Sequence, residues 1–258
     1  MDLNLEGKVA LVTGGSRGLG MQCALSLAGE GVDVAICGRT PETLAETRSR
    51  LQGHGVRTAA VVGDVGERSD IGRIHSEAVA ELGPIDILVN NVGGTRSRED
   101  ISGATLEDFV GTFDLNLFGG YELTRLVIPH MKERGWGRII NIASIWGREY
   151  GGNVSYMAAK AGLIGATKHA AVSLAKHGIL VNSIAPCSIS HAGGTWERFQ
   201  QSNPPDVVRD FIDRNLPLGR FGWPEPVGDL VAFLASDRAG MVTGACIPID
   251  GGQGISMI

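Results

Sequence analysis

The chain is 258 residues long, 43% hydrophobic and carries a net charge of −5, with no basic cluster beyond two arginines and a spacer. That suits one sizeable core and gives neither nucleic acid nor an anionic membrane an electrostatic foothold. The four cysteines, Cys23, Cys37, Cys187 and Cys246, make no metal-ligand spacing, no apolar run reaches membrane-span length, and the N-terminus has no signal-peptide pattern, so a cytoplasmic protein without a metal site is expected.

Short runs rich in β-branched residues recur at 8–13, 32–37, 57–62, 85–90, 137–143, 179–185 and 245–250. They are almost wholly apolar rather than alternating, as strands covered on both faces are. Helical periodicity fills the intervals at 17–29, 41–52, 67–82, 105–134, 154–176 and 225–236. This alternation predicts right-handed βαβ units and an α/β fold, a Rossmann-like doubly wound parallel sheet of about seven strands with helices on both faces. No repeat or linker divides the chain, so one domain over residues 1–258 is expected. Residues 186–224, rich in Ser, Gly, Pro and Asn, read as an irregular excursion carrying Trp196 and Phe199. Because it follows the C-terminal end of a strand, where open α/β sheets bind ligands, it is expected to be a substrate lid.

The first strand runs directly into TGGSRGLG, residues 13–20, and then into a helix. Glycines permit close backbone approach, and a helix N-terminus attracts anionic oxygens. Neither the P-loop nor the GxGxxG pattern fits, since Gly20 is followed by Met21 and Gln22 and the glycines fall at 14, 15, 18 and 20. Position after the first strand of a βαβ series nevertheless points to a dinucleotide. Strand two ends on Gly38 and Arg39 without a carboxylate, and Arg17 lies inside the turn. A carboxylate there would favour the ribose hydroxyl of NAD, whereas guanidinium groups pair with a 2′-phosphate. NADP(H) is therefore the expected cofactor, with NAD(H) as the alternative.

Tyr156 and Lys160 stand four residues apart in SYMAAKAG, on one helical face. Reducing a carbonyl requires a proton donor at the developing alkoxide. A phenol titrates near pH ~10, and a neighbouring cation favours the phenolate, so Lys160, helped by the nicotinium charge in the oxidised complex, is expected to draw Tyr156 towards neutrality. Ser144 falls where the fifth strand ends, beside the same site. A Ser/His/Asp hydrolase fits poorly, because none of the six histidines accompanies a GxSxG elbow.

Taken in order, TGxxxGxG at 13–20, LVNNVGG at 88–94, Asn116 in FDLNLFG, Ser144 in NIAS, and Tyr156 with Lys160 resemble the short-chain dehydrogenase/reductase family over essentially the whole chain. In overall pattern, 3-oxoacyl-acyl-carrier-protein reductases are similar. The resemblance implies a catalytic set of Asn116, Ser144, Tyr156 and Lys160, with Lys160 also holding the nicotinamide ribose and Asn116 a proton-relaying water. A kinked helix around a buried Asn116 is a compatible structural role. It further implies cofactor contacts from Gly14, Ser16, Arg17, Gly18, Leu19, Gly20, Arg39, Asp64, Val65, Asn91, Gly93, Tyr156, Lys160, Pro186 and Ile189. Asp64 reads equally as a cap on its own turn.

Two departures stand out. Val92 replaces the alanine of NNAG, and Cys187 and His191 stand where the family places a glycine and a threonine. His191 reads either as a cofactor contact or as a solvated loop residue. His177 stands where carrier-protein reductases tend to carry arginine, which weakens a carrier-protein docking role. The substrate wall is expected from 94–98, 145–152 and the lid, with Ser144, Trp146, Tyr150, Tyr156, Cys187 and Trp196 as contacts, and Arg96 and Arg98 read either as attractors of a carboxylate or phosphate or as solvated loop charges, the commoner case. These features predict an NADPH-dependent carbonyl reductase. An NAD-dependent dehydrogenase of a small alcohol, sugar or cyclic diol, or a non-catalytic dinucleotide sensor, are the alternatives. The long helices at 105–134 and 154–176 resemble those through which relatives form tetramers or dimers.

Overall fold

In the computed structural model, which describes residues 2–96 and 100–257, seven parallel strands lie in the order β3-β2-β1-β4-β5-β6-β7. They are β1 (Val9–Thr13), β2 (Asp33–Gly38), β3 (Thr58–Val62), β4 (Ile87–Asn90), β5 (Gly137–Ile142), β6 (Ile179–Pro186) and β7 (Cys246–Ile249). Each matches an apolar run within a residue or two. The runs are continuous because both parities of each strand are covered. Val12, Ile36, Ile140 and Ile184 face one hydrophobic cluster, while Leu11, Ala35, Ile139 and Val181 face the other.

The first cluster is roofed by α1 (Gly18–Gly29), α2 (Pro41–Gln52) and α9 (Glu225–Ala235). The second is covered by α3 (Arg68–Leu82), α5 (Gly119–Arg134) and α6 (Val154–Leu174). β1 is bonded to β2 on one side and to β4 on the other, so the strand order reverses at its C-terminal end. A crevice opens at such a switch point.

Two sequence expectations need correction. The helical pattern at 105–134 is not one helix: α4 (Leu106–Phe113) passes through a π-helical turn at Asp114–Phe118 before α5 begins. A π-turn holds one residue more than α geometry requires, which apolar patterning does not register. Nor is 186–224 irregular, since it contains α7 (Thr195–Ser202) and α8 (Pro205–Asn215). These short helices bury their apolar stripes together: Trp196, Phe199, Phe211 and Phe221 converge, with Phe211 and Phe221 stacked at 5.7 Å. The neck of the excursion is closed by a bridge between Ile189 and Gly222. Among the described residues no helix is long and apolar enough to cross a membrane, and no group of His, Cys, Asp or Glu could hold a metal ion.

Candidate active site

A cleft of about 640 Å³ opens over the C-terminal ends of β1, β4, β5 and β6. Its floor is stitched by side chains. Thr13 Oγ1 accepts the amides of Asn91 (2.9 Å) and Val92 (3.2 Å), and Asn91 Nδ2 donates to Thr13 O at 2.9 Å. Asn91 thus joins two strand ends, and its amide hydrogens are turned towards main-chain carbonyls rather than into the cleft.

The glycine-rich turn is tight for the same reason. Gly14 and Gly18 have φ of +63° and +56°, and a Cβ on Gly20 would run into Gly14 O and Asn91 Nδ2. Only a chain without side chains at these positions fits, and it leaves the start of α1 bare to the cleft. A cradle that a Cβ would fill, opening on a helix N-terminus, suits a dinucleotide diphosphate. Ser16, Arg17, Leu19, Gly38, Arg39, Asp64 and Val65 line the same end. Arg39 leans towards Asp64, with 3.6 Å between Nη1 and Oδ2. Asp64 Oδ1 also accepts Gly66 N at 2.9 Å, so the turn-capping reading of Asp64 is realised in this geometry.

At the other end Ser144 follows β5 in extended conformation, its Oγ accepts Trp146 N at 3.2 Å, and it lines the cleft with Tyr156 of α6. Tyr156 packs edge-on against Trp146, and Lys160 Nζ lies 5.6 Å from the phenol ring centre. Lys160 is 1% exposed and donates to Ile142 O at 2.7 Å. Burial pushes its pKa down to about 7. Burial also pushes the Tyr156 phenol up, with the Ser144 hydrogen bond pulling back. In the protein alone burial is the larger influence on the phenol.

Asn116 lies in the π-turn. Its Nδ2 donates to Gly94 O (2.6 Å) and Thr112 O (2.7 Å), and its Oδ1 accepts Gly94 N (3.1 Å). Both its donors are taken up by backbone, and the buried-kink role is realised. A Cβ on Gly93 would lie 3.0 Å from Lys160 Nζ and 3.1 Å from Asn116 Oδ1, so glycine there keeps a gap between the two.

On the outer side Trp146, Pro186, Cys187, Ile189, His191 and Trp196 line the cleft. The Cys187 thiol is pushed up to about 11 by burial and by the nearby Asp250, which leaves it a poor nucleophile. The His191 ring lies over the glycine-rich turn, near enough that a Cβ on Gly18 would come within 2.6 Å of it. Two expected substrate contacts, Tyr150 and Arg96, are not among the residues that line the cleft. Tyr150 is 93% exposed and lies outside the lining. Arg96 packs over Gly66 and Gly111, and Arg98 lies outside the described residues. Thr95, from the expected 94–98 wall, and Arg198, from the expected lid, line the cleft, as does Asn153, one residue beyond the expected 145–152 segment. Asn153 Nδ2 donates to Thr95 Oγ1 at 2.8 Å across the mouth, and Arg198 bonds Gly193 O at 2.6 Å within the lid.

The family profile described as short chain dehydrogenase matches residues 8–203. The 3-oxoacyl-acyl-carrier-protein reductase FabG of Thermotoga maritima is 37% identical over 252 residues, 97% of this chain and 99% of that protein. Among solved structures, L-sorbose reductase from Gluconobacter frateurii, complexed with NADPH and L-sorbose, superposes with a TM-score of 0.92 at 31% identity, covering all of both chains. A 7α-hydroxysteroid dehydrogenase complexed with NADH and 7-oxo glycochenodeoxycholic acid gives 0.88 at 28%, covering 99% of this chain and 97% of that one.

Proposed function

The chain belongs to the short chain dehydrogenase family, oxidoreductases that interconvert CH–OH and carbonyl groups, and from that premise we propose that it is an NADPH-dependent carbonyl reductase. The observation that carries the reading is the convergence of Ser144, Tyr156 and the buried Lys160 in the same cleft as the glycine-rich turn. When bound, the nicotinamide supplies the hydride. Gly14, Ser16, Gly18, Leu19 and Gly20 hold the diphosphate, Asp64, Val65, Asn91 and Gly93 line the nucleoside and ribose path, and Pro186 and Ile189 back the nicotinamide. Tyr156 gives its Oη proton to the carbonyl oxygen, and Ser144 steadies that oxygen by a hydrogen bond. Lys160, buried beside the phenol, supplies the positive charge that the departing phenolic proton requires. A water in the gap at Gly93, held by Asn116 and Lys160, returns the proton. A sensor would have no need of this set.

NADP(H) selectivity rests on Arg17 and Arg39 at the closed end of β2. The Arg39–Asp64 contact favours the second reading, an NAD-dependent alcohol dehydrogenase, because it takes up part of the Arg39 charge. Turnover of acetoacetyl-CoA, L-sorbose and a cyclic diketone with NADPH and with NADH decides between them. At least tenfold higher kcat/KM with NADPH supports the first reading, and a preference for NADH overturns it.

We further propose one domain with residues 186–224 as a lid, a homotetramer (or homodimer) and a cytoplasmic location. Exposed Leu106, Val110, Phe118, Tyr121 and Val172 on the helices beyond the second cluster support an oligomeric face. Buried free thiols at Cys23 and Cys37 suit a reducing compartment.

A further inference from the structure

The C-terminal segment after β7 takes part in none of the chemistry above, yet it is fastened at four places. Asp250 accepts the amides of Gly252 and Gly254, each at 3.0 Å, which folds the segment into a tight strap. Gln253 Oε1 then accepts Ser188 N at 2.9 Å, at the root of the lid. Gly251 and Gly252 lie against Leu218 and Pro217, where the chain leaves the lid. Finally, Glu149 Oε2 accepts both Ile255 N (2.7 Å) and Ser256 N (2.6 Å), across 106 and 107 residues of sequence.

Glu149 belongs to the segment between Ser144 and α6, which places Trp146 at one end and Asn153 at the other on the cleft wall. The strap therefore joins the substrate wall to both ends of the lid. The lid's own neck is already closed by Ser190 N to Gly222 O (2.9 Å) and Gly222 N to Ser188 O (3.1 Å). A lid closed at its neck still needs a fixed attitude towards the opposite wall, and the strap is a covalently continuous tie between the two.

We infer that residues 250–256 form a strap that sets the width of the cleft mouth, and that Glu149 and Gln253 are positioning residues for the carbonyl substrate. This rests on the reading of the cleft as a carbonyl-reducing site. The two amides converge on one carboxylate oxygen, so an amide oxygen in the same place can accept both. The negative charge is not what the geometry needs.

The test compares Glu149→Ala with Glu149→Gln, using whichever of acetoacetyl-CoA or L-sorbose is turned over. Glu149→Ala is expected to raise KM for the carbonyl about fivefold, with kcat and NADPH Kd within about twofold. Glu149→Gln is expected to restore KM. Adding Glu149→Ala to a chain ending at Gln253 is expected to change KM no further, since the amides it binds are then gone. Unchanged KM in Glu149→Ala, equal loss in Glu149→Gln, or an additive effect in the shortened chain overturns the proposal. Amide hydrogen exchange supplies a reading that needs no turnover: Glu149→Ala should speed exchange in 145–153 and in 187–190 together. Faster exchange confined to 254–257 also overturns it. Should no carbonyl be reduced, the exchange measurement still decides for or against the strap, while NADPH titration and the carbonyl panel report on the functional reading.

Discussion

The two walls of the cleft are built on different terms. On the side of the glycine-rich turn, side chains and backbone of adjacent strand ends are bonded to one another, with Thr13, Gly14, Gly20 and Asn91 filling each other's space. The lid side is a separate packing unit, an aromatic cluster hung from a neck at Ile189 and Gly222. One wall inherits the rigidity of the sheet, while the other has its own small core and its own stability. A site divided this way holds a common group on the rigid wall and adapts the other to the particular substrate.

Tyr156 stands between the walls, and its loss should be felt most. Tyr156→Phe keeps the ring packing against Trp146 and removes the proposed proton donor, so kcat should fall about 10²–10⁴-fold, with NADPH Kd read alongside by fluorescence titration. Tightening the rigid wall comes next. Gly20→Ala places a methyl against Gly14 O and Asn91 Nδ2 and should cost about 1–3 kcal/mol of stability, with cofactor affinity falling alongside. Gly72→Ala, inside α3 where a Cβ meets nothing within 4 Å, is the control that should leave affinity in place and, as alanine replaces glycine in a helix, raise Tm slightly.

Lys160 gives a pH-dependent effect of similar size. Its folded-state pKa of about 7 lies below its ordinary value of 10.5, so between those two pH values the unfolded chain binds more protons and stability rises with pH. Burying the charged amine therefore costs most below pH 7. Without cofactor, Lys160→Met should be more stable than wild type by about 2–4 kcal/mol at pH 6, the pKa depression less the cost of leaving Ile142 O without its donor. The advantage should shrink steadily towards pH 10. A constant difference in denaturation midpoint across that range would contradict this account. The smallest global effect should come from the lid: Trp196→Ala removes the ring that touches Phe199, Phe211 and Phe221. It should speed limited proteolysis within 190–221 while moving the global Tm by only a degree or two.

The same division explains what could be read from the sequence. Strands covered on both faces announce themselves as apolar runs, and the glycine-rich turn and the Tyr156–Lys160 spacing are local patterns, so fold and rigid wall were legible. The lid was not. Its helices are 8 and 11 residues long and flanked by Gly194, Pro204 and Pro205, so composition masked their periodicity. Tyr150 looked like a substrate contact because aromatic residues near a site usually are; here the turn after Trp146 carries it into solvent. The burial of Lys160 and Tyr156 had no signal in the sequence, because spacing reports proximity and says nothing of burial. Glu149 had no signal at all, since its partners lie more than a hundred residues away.

The π-turn at Asp114–Phe118 carries a consequence of its own. It amounts to one residue of surplus length in an otherwise continuous helix, a length that folding by itself would shed. Deleting a residue there would let α4 and α5 fuse into one better-bonded rod, and everything beyond it would swing by about 100° around the axis. Asn116 could then no longer face Gly94 while Leu123 and Val127 still faced the sheet. The extra residue acts as a phase shifter, letting one helix answer to the core along one half and to the cleft along the other.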